Sequence, residues 1–159
     1  MDKDERPRTW KTYKGSSQIV GKIKQRLRMK KVIVYGTLKK GGRLHGYMGD
    51  SKFIVDVVVT GYKMYDTKSG FPFIVRGDDE IDRIWGEKYE VDDETLRILD
   101  MVEGIGSGLF RRVDLKDVKG WSDKRDSTYI YVGDTSLEYG KKIYGVEPEE
   151  IKGGFWKTN

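Results

Sequence analysis

The segment Val32-Ile33-Val34-Tyr35-Gly36-Thr37-Leu38-Lys39-Lys40-Gly41-Gly42-Arg43 sets the tightest limit on how this chain folds. Val32 to Tyr35 are β-branched or aromatic with no polar residue among them, so they predict a buried strand. Gly36 then permits a dihedral, or a close approach to a ligand, that a Cβ would forbid. Successive amides in such a turn can point at an anion or a carbonyl oxygen. The spelling is not that of a phosphate loop, which needs G-x-x-x-x-G-K-[ST]. Gly36 and Gly41 have the right separation, but Gly42-Arg43 follows them instead of Lys-Ser or Lys-Thr. Nor is it G-x-G-x-x-G. The loop is a candidate cradle for a polar group of another kind.

With 159 residues the chain is expected to form one domain. Cysteine is absent and histidine occurs once, at His45. That excludes a disulfide framework, a thiol nucleophile and a histidine-cluster metal site, and it suits a reducing, cytoplasmic location. No apolar run approaches the roughly 18 residues that span a bilayer. The first 30 residues lack the apolar core of a secretory leader, and none is expected. The net charge of +5 is unevenly placed. Residues 1–31 hold 11 Lys or Arg against 3 Asp or Glu, leaving 20 basic and 23 acidic residues for the remainder. The globular part is therefore mildly acidic behind a basic N-terminal extension.

Within that extension, residues 1–15 predict an extended arm with Trp10 and Tyr13 among cations. Such an arm is either a solvated tail or a contact for nucleic acid, aromatics on bases and cations on phosphates. Residues 16–30 predict a basic amphipathic helix capped by Ser16 or Ser17, with Ile19, Ile23 and Leu27 as its apolar stripe. Further strands are expected at 53–60, 62–66, 72–76 and 84–91, with a hairpin formed by 110–118 and 127–132. Tyr144 and Trp156, in the glycine-rich tail 137–159, are expected to cover apolar surface. Six or seven short strands with few helices indicate an α+β domain over 32–159, a small mixed β-barrel that is closed or nearly closed.

One helix is expected in that domain, from Asp93 to about Glu103, with Asp92 or Asp93 as N-cap. Leu96, Leu99 and Val102 mark its core-facing stripe. At about 100° per residue, Glu103 falls beside the stripe, and Asp100 lies further round. Gly104 ends the helix. Partial burial and the negative helix end both raise the pKa of a carboxylate at this place. A carboxylate so tuned suits a general base near neutral pH, whereas a solvated helix end would give it no such role.

Four segments in order resemble the γ-glutamylcyclotransferase-like (AIG2-like) family: Val34-Tyr35-Gly36-Thr37-Leu38, Gly86-Glu87-Lys88-Tyr89-Glu90-Val91, Leu99-Asp100-Met101-Val102-Glu103-Gly104 and Phe110-Arg111-Arg112-Val113. Gly153-Gly154-Phe155-Trp156 is similar to the family's C-terminal Gly-Asp-Trp. The resemblance implies a small mixed barrel with flanking helices. It implies that backbone amides of Tyr35, Gly36, Thr37 and Leu38 hold the glutamyl part of a small γ-glutamyl substrate. It places the acid/base glutamate at Glu103, and it implies no metal or cofactor. Phe110 stands where the family often has tyrosine, so a hydroxyl is missing there.

In a γ-glutamyl amide the α-amine can reach its own γ-carbonyl, closing a five-membered ring and expelling an amine as 5-oxoproline forms. The reaction needs the α-ammonium deprotonated, the chain folded for ring closure and a proton returned to the leaving nitrogen. One carboxylate can serve both transfers, proximity is worth up to about 7–11 kcal/mol, and each oxyanion donor roughly 3 kcal/mol. Arg43 and Arg111, with Arg112, are further candidates for meeting a substrate carboxylate. His45 is expected to be structural. Gly106-Ser107-Gly108 is either a gating loop or a plain turn. The alternative function is a binding module of the same fold, without turnover, directed to nucleic acid or a partner by residues 1–31.

Overall fold

The computed structural model describes residues 29–133, 145 and 147–158. The arm at 1–15, the amphipathic segment up to residue 28 and Tyr144 lie outside the described residues. The described strands are β1 (Lys30–Val34), β2 (Lys52–Thr60), β3 (Tyr62–Asp66), β4 (Pro72–Arg76), β5 (Arg83–Val91), β6 (Arg111–Asp114), β7 (Thr128–Val132) and β8 (Glu149–Glu150). Among the described residues the α-helix is α1 (Asp93–Val102), between β5 and β6. None of the described helices is long and apolar enough to cross a membrane.

A five-stranded sheet runs in the order β2-β5-β1-β7-β6, and a three-stranded sheet in the order β4-β3-β8. β1 sits in the middle of the larger sheet, antiparallel to β5 and parallel to β7. Its unbroken apolar run follows from burial on both faces. Val32 and Val34 join Leu96 and Leu99 of α1 in one core, while Ile33 joins Met64, Ile74 and Ile84 in a second.

The expected barrel differs from what is found. Among the described residues the strands form two sheets, and no continuous ladder closes them. Gly61, at φ 87°, turns β2 sharply into β3 and carries the chain from one sheet to the other. Single bonds link them instead: Gly133 N–H, just after β7, donates to the Ile74 carbonyl of β4 at 2.9 Å, and Trp85 N–H of β5 to the Gly154 carbonyl, in the segment after β8, at 2.8 Å. The predicted hairpin is present as β6 and β7, antiparallel with Arg111 opposite Val132. Its strands are shorter than expected because a 3-10 turn at Leu115–Asp117 interrupts the first.

Helix α1 begins as its sequence requires. Asp92 is the N-cap, its carboxylate accepting the Thr95 N–H at 2.7 Å, with Asp93 and Glu94 in the first turn. Glu103 is the C-cap, and Gly104 then takes the left-handed conformation (φ 69°) that stops the helix.

Candidate active site

The glycine loop leaves β1 and folds into successive tight turns. Lys39 N–H donates to the Gly36 carbonyl at 3.0 Å, Gly42 N–H to Lys39 at 2.7 Å, and Leu44 N–H to Thr37 at 2.9 Å. These turns consume carbonyls, whereas the amides of Gly36, Thr37 and Leu38 have no acceptor among the described residues.

The reason for the glycines differs from the expected one. A Cβ on Gly36 would lie 2.6 Å from Pro72 Cγ, and one on Gly42 would collide with the Thr37 carbonyl. Both positions are glycine because the protein itself fills the space. Ligand approach is not needed to explain them.

Several anchors hold the loop from behind. Glu87 Oε1 accepts the Lys40 N–H and the Tyr89 hydroxyl, each at 2.9 Å. Lys39 is almost fully buried, its ammonium donating to the Trp156 carbonyl at 2.5 Å and standing 4.0 Å from the Phe155 ring centre. Burial lowers the Lys39 pKa, opposed in part by the charges of Glu87 and Asp56. Thr158 adds a hydroxyl bond to the Lys40 carbonyl at 3.3 Å. His45 Nδ1 lies 2.8 Å from the Leu38 carbonyl, which can only accept, so that nitrogen carries the proton. His45 thus has the structural role expected of it.

In front of the loop is a cavity of about 190 Å³. Val34 to Leu38 form one wall, Val102 and Glu103 another, and Arg43, Leu44, Phe71, Pro72, Leu109 and Phe110 complete it. Glu103 therefore faces the same space as the loop. Its carboxylate has no hydrogen-bond partner among the described residues, and burial pushes its pKa up to about 7. Beneath it, the Tyr35 hydroxyl donates to the Tyr131 carbonyl at 2.7 Å. Burial, and then the Glu103 charge, push the Tyr35 pKa well above its ordinary value.

The remaining candidates separate by position. Arg43 lines the cavity; Arg111 is exposed on β6 and does not. Arg112 is engaged elsewhere, donating to Asp100 at 2.8 Å with its guanidinium 4.6 Å from the Tyr129 ring centre. Asp100 also accepts the Tyr131 hydroxyl at 2.8 Å and is outside the cavity wall. Phe110 is buried in the wall with its ring 6.2 Å from that of Phe71. Residues 105–107 form a 3-10 turn, with the Ser107 hydroxyl on the Gly104 carbonyl at 3.0 Å. That turn delivers Leu109 to the wall.

Sequence reasoning did not find Phe71, Pro72 or the anchoring by Lys39 and Glu87. The acidic residue in Gly86-Glu87-Lys88-Tyr89 was a usable signal, since a carboxylate alternating with apolar strand positions requires a partner. Among the described residues, no group of three or more His, Cys, Asp or Glu side chains is placed to hold a metal ion. The chemistry on offer is a carboxylate whose pKa burial raises to about 7, lining one cavity with three unengaged backbone amides that can bind an anion or an oxyanion.

A family model described as gamma-glutamyl cyclotransferase, AIG2-like, matches residues 32–157. The chain is 31% identical over 121 residues to the γ-L-glutamyl-butirosin B γ-glutamyl cyclotransferase of Niallia circulans, covering 73% of this chain and 76% of that protein. Among solved structures it is similar to a Pyrococcus horikoshii protein at a TM-score of 0.56 and 29% identity, covering 79% of this chain and 88% of the other. It is also similar to an AIG2-like protein of Mus musculus at a TM-score of 0.55 and 28% identity, covering 68% and 79%. By its fold and by the match across nearly the whole described domain, the chain belongs to the γ-glutamyl cyclotransferase, AIG2-like, family.

Proposed function

We propose that the chain is a cyclotransferase that converts a γ-glutamyl amide into 5-oxoproline and a free amine, with Glu103 as acid and base. The observation carrying this reading is that the Glu103 carboxylate and the unengaged amides of Gly36, Thr37 and Leu38 line one cavity. The name of the Niallia circulans relative, which specifies a γ-glutamyl compound, supports the substrate class.

The glutamyl head lies along the 35–38 loop, whose amides take up its carboxylate or the developing oxyanion. Glu103 removes a proton from the α-ammonium. The freed nitrogen attacks the γ-carbonyl carbon, the ring C–N bond forms, and Glu103 passes the proton to the leaving nitrogen as its bond to that carbon breaks. The ring nitrogen's surplus proton follows the same route, so the amine departs as an ammonium ion and the lactam keeps one N–H. No side-chain nucleophile is required, which accords with the absence of cysteine. A base with a pKa near 7 is half ionised at neutral pH and returns its proton readily.

The direct test is Glu103→Gln. It should retain the native circular dichroism spectrum while 5-oxoproline release from a γ-glutamyl compound that the parent turns over falls by about 10²–10⁴-fold. Full activity in that variant would remove Glu103 from the mechanism.

A further inference from the structure

We infer that Arg43 forms a second anion subsite that receives a carboxylate on the leaving half of the substrate, so that γ-glutamyl amino acids are preferred to γ-glutamyl amines. The inference rests on the cyclotransferase reading and names the substrate class for the same site.

The cavity wall carries two charged side chains, Arg43 and Glu103. Arg43 follows the last glycine of the loop, lines the cavity while remaining exposed, and has no ion-pair or hydrogen-bond partner among the described residues. The other nearby cations are occupied. Lys39 is buried against Trp156 and Phe155 behind the loop, and Arg112 is bound to Asp100. Glu103 does not neutralise Arg43 either: no ion pair joins the two among the described residues. An exposed, unengaged guanidinium on a cavity wall can take a carboxylate by paired N–H bonds.

On the cyclotransferase reading, the amides of Gly36, Thr37 and Leu38 in the same cavity are available to the glutamyl α-carboxylate. The amide bond to be broken must sit by Glu103, and the leaving half then lies along the rest of the wall, which includes Arg43, Leu44, Phe71 and Leu109. That wall offers apolar contact for a side chain and one positive charge. An amino acid fits it, and a cationic amine meets repulsion.

The test compares γ-glutamyl-alanine with γ-glutamyl-ethylamine, which differ by the leaving-group carboxylate. Affinities are measured calorimetrically on Glu103→Gln, so that turnover is not needed, and kcat/KM on the parent. The alanine compound is expected to be favoured by about tenfold in both. Adding Arg43→Met should bring the ratio close to one, and Arg43→Lys should restore part of it. Equal affinities in the Glu103→Gln background overturn the subsite. So does a preference that survives Arg43→Met, or a proportional loss for both compounds, which would put Arg43 on the glutamyl carboxylate. Selective binding without 5-oxoproline release by the parent would overturn the cyclotransferase reading and leave the subsite standing.

Discussion

Pro72 Cγ occupies the space beside Gly36, 2.6 Å from where a Cβ on that residue would lie. The first residue of β4 thus packs against the glycine that opens the loop, joining the smaller sheet to the candidate site. Gly36→Ala should destabilise the fold by about 1–3 kcal/mol through overpacking and reduce turnover by moving the amides. Pro72→Ala in the same chain should recover most of that loss, and urea titrations of the two single variants and the double variant would measure the coupling. Strict additivity would show that the contact is irrelevant to the loop.

Activity should depend on pH through Glu103. The base form gains as pH rises through about 7, so kcat/KM should climb toward a plateau above it. The rising limb should disappear from the residual rate of Glu103→Gln.

The same carboxylate affects stability with a definite sign. Its folded-state pKa is above its ordinary value of 4.5 because burial penalises the charged form. The folded state therefore holds the proton more tightly, and stability falls as pH rises from about 4.5 to about 7. Glu103→Gln should equal its parent below that window and exceed it by up to about 3 kcal/mol above it. Chemical denaturation at pH 4 and pH 8.5 would decide the matter; a constant difference at both would contradict it.

Asp100 provides a contrast three residues from Glu103. It accepts from both Arg112 and the Tyr131 hydroxyl and lies outside the cavity wall. Asp100→Ala should cost about 1–3 kcal/mol by leaving the buried Tyr131 hydroxyl without its acceptor. Turnover at a temperature where the variant is folded should change by less than about threefold. A collapse comparable to that of Glu103→Gln would reassign the base.

Lys39 should matter to binding more than to chemistry. Lys39→Met keeps the apolar stem and removes the bond to the Trp156 carbonyl. Loosening the loop should raise KM severalfold while kcat changes less where the amides hold the glutamyl carboxylate, which is bound in ground state and transition state alike. A fall in kcat at constant KM would place Lys39 closer to the reacting atoms than its burial permits.

The parts of the structure that were legible in the sequence are those set by neighbours along the chain. β1 announces itself by its apolar run, and α1 by the Asp92 cap, the Leu96–Leu99 stripe and Gly104. Glu103 could be placed beside the stripe from helical geometry alone, and it lines the cavity. What could not be read depends on partners far away in sequence. Pro72 against Gly36, Glu87 against Lys40 and the division into two sheets come from tertiary packing, which no local periodicity encodes. The carboxylate's tuning was half legible: burial acts as expected, but the helix end is not needed to explain it.

The tie between Lys39 and Trp156 spans 117 residues, and β1 finds its parallel neighbour only at Thr128 to Ile130. Contact order is therefore high where the chemistry is placed, and the loop-closure entropy of the whole domain must be overcome before the site exists. During synthesis β1 and its glycine loop emerge early and wait for partners made near the other end of the domain. A ribosome stalled before residue 128 should display a doubly apolar strand without its second neighbour, a substrate for chaperones and not yet a catalyst.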